Sequence, residues 1–158
     1  MIYKKPLSNE QTLQKLKHFC GYQERCHKDV KEKLYSLGIS RAAHDEMIAS
    51  LIEENYLNEE RFAILFAGGK FRMKQWGRKK ILYALREKQV SAYSIKKALK
   101  QIDETQYLKT LSDLAKKKSA LLKNEQYLAR KKKIIDYLLQ KGFEMDLVIQ
   151  ATEKILQK

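Results

Sequence analysis

Three observations predict an all-α fold. The 158 residues include only six Gly and one Pro, Pro6, which leaves little of the punctuation that hairpins and sandwiches need. Lys, Leu, Ala, Glu and Ile dominate, and these are mostly good helix formers. A single pattern of capping residue, acid and spaced apolar positions also recurs three times along the chain. Hydrophobic residues make up 44%, enough for a sizeable core although 33% of residues are charged.

The first element of each repeat opens alike, as Asn9-Glu-Gln-Thr-Leu13, Asn58-Glu-Glu-Arg-Phe62 and Asp103-Glu-Thr-Gln-Tyr107. Each offers an N-cap residue, then one or two acids that complement the helix dipole, then a large apolar side chain. A second helix recurs as Val30, Leu34, Ile39; Ile81, Leu85, Val90; and Ile134, Leu138, Phe143. A step of four keeps two side chains on one face, and the step of five carries the third just past a turn. Gly38 and Gly142 precede the third position in two repeats and read as left-handed C-caps. Gln89 stands there in the middle repeat, so that turn is expected to be weaker. A third helix follows, with Ala43, Met47, Ile48, Leu51; Ile95, Ala98, Leu99; and Val148, Ala151, Ile155 on its apolar face. Ser40, Ser91 and Glu144 are its expected N-caps.

These patterns divide the chain into three-helix repeats over 9–57, 58–101 and 102–158. The third has a longer first helix and connector, containing Lys116-Lys117-Lys118 and Lys123-Asn124-Glu125. One such unit is only marginally stable alone, so the repeats are expected to pack against one another.

Several function classes are excluded. The longest apolar run, Phe62 to Ala67, is far short of the roughly 20 residues of a membrane span. The N-terminus, Met-Ile-Tyr-Lys-Lys-Pro, lacks the apolar stretch of a secretory leader. Two cysteines, Cys20 and Cys26, fit a reducing interior. The expectation is a cytoplasmic protein with no membrane contact. Gly68-Gly69-Lys70 resembles a phosphate loop only superficially, since Ile64 stands where its first Gly belongs and Phe71 where its Ser or Thr belongs. His18, Cys20, Cys26 and His27 lack metal-ligand spacing, and nothing orients a catalytic Cys/His pair. The carboxylates are dispersed and suggest no acid–base chemistry. No metal, no cofactor and no enzymatic activity are expected.

Charge narrows the partner class. The chain carries a net charge of +14, spread unevenly. Residues 1–57 hold 9 Lys and Arg against 8 acids, residues 58–101 hold 12 against 3, and residues 102–158 hold 12 against 8. A local excess of that size favours nucleic acid or an acidic protein surface. Its densest part is Lys70-Phe-Arg-Met-Lys-Gln-Trp-Gly-Arg-Lys-Lys80, where Lys70, Arg72, Lys74, Arg78, Lys79 and Lys80 surround Phe71 and the only Trp, Trp76. Such cations neutralise phosphates or pair with acids. Trp76 suits either the core or a stacking contact. A second basic run, Arg130, Lys131, Lys132 and Lys133, is expected to open the second helix of the third repeat. Aligning Ile81 with Ile134 places Lys131 to Lys133 opposite Arg78 to Lys80, which suggests a track rather than a single pocket.

Tyr56-Leu-Asn-Glu-Glu-Arg-Phe-Ala63, followed by Trp76-Gly77-Arg78, Ile81 and Leu85, resembles the central signature of the RecX family, small bacterial regulators of the RecA recombinase. The match covers roughly residues 50–100, and a weaker resemblance extends over nearly the whole chain. Cys26 stands where many members have Ser, so the cap of the second helix is expected to be poorer. Lys88-Gln89-Val90 replaces the commoner Lys-Gly-Ile. The resemblance implies three tandem three-helix units in an elongated, curved array. It also implies binding in the groove of the RecA–DNA filament, with restraint of recombination, ATPase and coprotease activities. The partners so implied are the RecA filament and single-stranded DNA, either within the filament or weakly alone, contacted by a monomer. The alternative is a sequence-nonspecific DNA-binding protein that acts without RecA.

Overall fold

The computed structural model describes residues 5–157. Met1–Lys4, part of the segment read for a leader, and Lys158, at the end of the third repeat, lie outside the described residues. Among the described residues there are nine α-helices, one short 3-10 helix and no strand. In order they are α1 (Asn9–Tyr22), α2 (His27–Ser36), the 3-10 turn Arg41–Ala43, α3 (His44–Glu53), α4 (Glu59–Lys74), α5 (Arg78–Glu87), α6 (Ala92–Lys100), α7 (Glu104–Leu121), α8 (Tyr127–Gln140) and α9 (Met145–Leu156).

Local chemistry accounts for most of these boundaries. Asn58 and Asp103 cap α4 and α7 by accepting from the Arg61 and Gln106 amides, each at 2.9 Å. The cap of α1 lies one residue before the expected Asn9. Ser8 accepts from the Gln11 amide at 3.1 Å, and the Gln11 side chain accepts from the Ser8 amide at 3.0 Å. This reciprocal pair satisfies two otherwise orphaned donors. Ser91 caps α6 through the Ser94 amide. Ser40 instead precedes the 3-10 turn and makes no side-chain cap bond. At Cys26 the box is retained, with Asp29 accepting from the Cys26 amide at 3.1 Å and the Cys26 sulfur, a weaker acceptor than a hydroxyl, facing the Asp29 amide.

The four-then-five spacing has a common cause. In every repeat the residue after the turn donates its amide to a carbonyl five residues back: Ile39 to Leu34 at 3.0 Å, Val90 to Leu85 at 3.1 Å and Phe143 to Leu138 at 3.2 Å. That bond requires a left-handed residue between them. Gly38 and Gly142 supply it at φ 74° and 99°, and Gln89 adopts it at φ 61°, where a side chain costs about 1–2 kcal/mol. The middle turn therefore keeps the geometry of the other two at higher cost.

Leu34, Leu85 and Leu138 are each fully buried, as the spacing predicts. The core nevertheless falls into two bodies. Leu16, Val30, Leu34, Met47 and Leu51 form one cluster within the first repeat. Ile81, Leu85, Tyr107, Ile134, Leu138 and Phe143 belong to a second, larger cluster that runs through the second and third repeats without a break and takes in Cys26 of the first. The chain exposes 10779 Å², about 30% more than the ~8,200 Å² that scaling gives for a compact chain of this mass. The helices form an extended array.

Candidate basic interface

The densest cationic segment spans the end of α4, a three-residue connector and the start of α5. Helix α4 is unbroken through Gly68 and Gly69. These residues serve no close helix packing: a Cβ at Gly68 would meet only the Arg72 guanidinium, and one at Gly69 would meet nothing. The helix stops at Gln75, which is left-handed at φ 57°, and the Trp76 amide donates back to the Lys70 carbonyl at 3.3 Å. Arg72 and Lys74 thus lie in the last turn of α4, where cations complement the dipole. Lys79 and Lys80 lie in the first turn of α5, where the dipole opposes them and no acid is present.

Trp76 is half-buried at the edge of the shared core. The Lys70 and Lys80 ammonium groups lie 5.0 Å and 4.8 Å from its ring centroid. Cation–π attraction of this kind fixes both lysines beside the ring. Arg72, Lys74 and Lys79 are exposed. None of these five cations forms an ion pair with a carboxylate among the described residues.

Arg78 has a different role. Its guanidinium pairs with Glu144 at 2.8 Å and with Glu104, and it lies 3.8 Å from the centroid of the Tyr107 ring. The Tyr107 hydroxyl donates to Glu144 and accepts from the Arg78 amide at 3.0 Å. Burial, reinforced by the hydrogen bond to Glu144, pushes the Tyr107 phenol well above its usual range. Glu144, expected only as a cap, makes no cap bond, because its carboxylate is held in this cluster. The backbone closes the same junction. The Gly77 amide donates to the Lys141 carbonyl at 2.8 Å and the Lys79 amide to the Gly142 carbonyl at 2.9 Å. A Cβ on Gly77 would stand 2.3 Å from the Gly142 carbonyl carbon. Trp76-Gly77-Arg78 is thus the clasp between the second and third repeats.

The second basic run begins one turn inside α8, which starts at Tyr127, rather than opening it. Arg130 donates to the Ser119 carbonyl at 2.8 Å and to its hydroxyl at 2.6 Å, tying α8 to α7. Lys131 pairs with Glu153, Lys132 with Asp136 and Lys133 with Glu125. Local acids therefore offset this run, whereas Lys70, Arg72, Lys74, Lys79 and Lys80 have none. Position in sequence alone did not separate the two sets, because the offsetting acids are scattered from residue 125 to residue 153.

Cys20 is buried in the core of the first repeat and Cys26 in the larger core. Burial raises both thiols above their ordinary range, which makes them poor nucleophiles. No helix among the described residues is long and apolar enough to cross a membrane.

Comparison with known proteins agrees with the architecture. Residues 58–99 match the model of the second three-helix domain of RecX, and residues 104–152 match that of the third. The chain belongs to the RecX family. The regulatory protein RecX of Clostridium perfringens strain 13 is 34% identical over 121 residues, covering 75% of this chain and 56% of the relative. That of Chlorobium phaeobacteroides strain BS1 is 28% identical, covering 87% of this chain and 88% of the relative. The RecX of Bacillus cytotoxicus is 25% identical and matches over 52% of its own length. The chain spans about half the length of several curated RecX relatives it matches. The fold also matches the crystal structure of RecX from Lactobacillus salivarius, with TM-score 0.86 and 23% identity over 94% of this chain and 97% of that one. A second RecX crystal structure matches with TM-score 0.82 and 18% identity, over 100% of this chain and 82% of that one. RecX proteins are regulatory, and their fold is the helical repeat seen here.

Proposed function

We propose that this chain regulates the RecA recombinase by laying the α4–α5 ledge along the groove of the RecA–DNA filament, restraining its recombination, ATPase and coprotease activities. One observation carries the reading: Arg72, Lys74 and Lys79 are exposed without acidic partners among the described residues, and Lys79 stands where its own helix dipole opposes it. Clustered exposed cations left uncompensated, one of them held against its own helix dipole, mark a surface kept for a partner. A filament groove that offers phosphate together with acidic protein surface would supply the missing counter-charge. The chain acts by binding rather than by catalysis, as a cytoplasmic monomer. Arg78 supports the ledge from within, Arg130 joins α8 to α7, and Lys131, Lys132 and Lys133 contribute less because each already has an acid.

Co-sedimentation with RecA filaments assembled on single-stranded DNA tests this. Binding is expected to keep a salt-resistant component from buried protein contacts. The net charge of +14 favours a second reading, direct DNA binding without RecA. Affinity for naked DNA that falls steeply with salt, with no added affinity for the filament, would select that reading.

A further inference from the structure

The first repeat is nearly neutral in total, yet its charges are segregated. A pocket of about 430 Å³ is lined by Lys15, His18, Phe19, Tyr22, Arg25 and Lys33 among others, and no carboxylate of the described residues lines it. Helix α1 contributes four of these side chains, at positions 15, 18, 19 and 22, whose spacing places them on one face. Tyr22 is 79% exposed, more than any other aromatic residue among the described residues. Arg25 is held flat. Its guanidinium carbon lies 3.7 Å from the centroid of the Phe19 ring, and its Nε donates to the Phe19 carbonyl at 3.1 Å. Lys33 also approaches Phe19, at 5.5 Å.

We infer that this pocket binds a nucleotide of a single-stranded nucleic acid, stacking its base on Tyr22 and the Arg25 plane and neutralising its phosphates with Lys15 and Lys33. Three features favour that ligand. A guanidinium already laid on an aromatic ring is a preorganised platform for an unstacked base. An exposed aromatic among cations is the arrangement by which single strands are held without sequence preference. The volume lies within the range of small-ligand sites, while the absence of any carboxylate disfavours a cationic ligand. Phe19, Tyr22 and Leu37 offer apolar surface to a base, and Lys15, Arg25 and Lys33 offer charge to its phosphates. The site is separate from the α4–α5 ledge and does not depend on RecA.

The test is fluorescence anisotropy of a labelled oligothymidylate of about 20 nucleotides, titrated without RecA with the full chain and its Tyr22→Ala, Tyr22→Phe and Lys15→Glu variants. Tyr22 and Lys15 are exposed, so the substitutions leave the fold intact, and circular dichroism verifies this. Tyr22→Ala is expected to weaken binding about tenfold, within the range for one lost base–aromatic stack. Tyr22→Phe should bind like the wild type, and Lys15→Glu should weaken binding and flatten its salt dependence. An abasic oligomer of equal length should bind the wild type no better than oligothymidylate binds Tyr22→Ala. Equal affinity of Tyr22→Ala and the wild type, equal affinity for the abasic and base-bearing oligomers, or no binding by the wild type overturns the inference. Silence at Tyr22 with loss on reversing Arg72, Lys74 and Lys79 would refute the pocket and spare the ledge; loss at Tyr22 beside unaltered filament binding by the ledge variant would do the opposite.

Discussion

The first repeat and the fused pair behind it share a folding pattern but are joined in different ways. The second and third repeats meet backbone to backbone at Gly77 and Gly142, around a tyrosine and an ion-paired arginine, and their cores are continuous. The first repeat keeps its own core. Cys26 reaches into the larger core, and otherwise the first repeat meets the second through side-chain polar contacts: Arg61 to Glu24 at 2.6 Å, Lys88 to Asp29 at 3.5 Å and Lys28 to the Glu87 carbonyl at 3.0 Å. Partly exposed pairs of this type contribute little each, whereas close-packed cores are costly to part. The same unit can thus be welded or merely docked, according to which side chains face the joint. The ledge sits on the welded body, where its cations stand on a rigid base.

Core truncation separates the two bodies most sharply. Leu34→Ala and Leu138→Ala should each cost about 2–5 kcal/mol. In calorimetry Leu34→Ala should split off an early transition of the first repeat, and Leu138→Ala should lower the transition of the fused pair as one unit. A single concerted transition in both variants would mean that the two bodies are not separable. Gly77→Ala should cost about 3 kcal/mol, since its Cβ meets backbone that cannot rotate away, and it should lower only the transition of the fused pair.

The ion pairs sharpen the comparison further. Arg78→Ala leaves the Glu144 and Glu104 carboxylates without their ion-pair partner and removes the cation from the Tyr107 ring, so about 2 kcal/mol is expected. Arg61→Ala, at the docked joint, should cost about 1 kcal/mol or less. Chemical denaturation of both variants verifies the order, and a larger loss at Arg61 would reverse the account of the two joints.

The smallest expected effect depends on pH. Glu59 on α4 is partly desolvated, which raises its carboxyl, but hydrogen bonds from Ser91 and Ser94 at the cap of α6 outweigh this and leave it below its usual range. A carboxyl lowered in the folded state adds stability above its unfolded value, and that stability disappears as pH falls through the folded value. Glu59→Gln should therefore destabilise modestly at neutral pH and lose less than the wild type on acidification below about pH 4.5. Parallel acid titrations followed by circular dichroism would reveal any failure of the two curves to converge.

Much of the fold was legible because periodicity and capping are local. The bond from Ile39, Val90 or Phe143 back across its turn follows from residue types within six positions, and so do the caps at Asn58 and Asp103. Less of the interface was legible. Arg78, Lys79 and Lys80 are adjacent and chemically alike, yet Arg78 is held by Glu144, 66 positions away, while Lys79 remains exposed. That difference is made by tertiary neighbours, which no local window contains. The pocket beside Tyr22 escaped for the opposite reason. Counting charge over the whole first repeat cancelled Lys15, Arg25 and Lys33 against acids that fold onto other faces. A signal was present in the spacing of Lys15, His18 and Tyr22 along one helix.

Charge reversal on the ledge tests the central claim most directly. The variant Arg72→Glu, Lys74→Glu, Lys79→Glu leaves Arg78 in its clasp, and its three sites are exposed, so stability should change little. RecA ATPase on single-stranded DNA is titrated with this variant, with the wild type and with Lys131→Glu, Lys132→Glu, Lys133→Glu, all verified as folded by circular dichroism. The account predicts that the wild type inhibits, the ledge variant does not because attraction becomes repulsion at three contacts, and the third-repeat variant inhibits with reduced potency. Equal inhibition by the folded ledge variant and the wild type would contradict it.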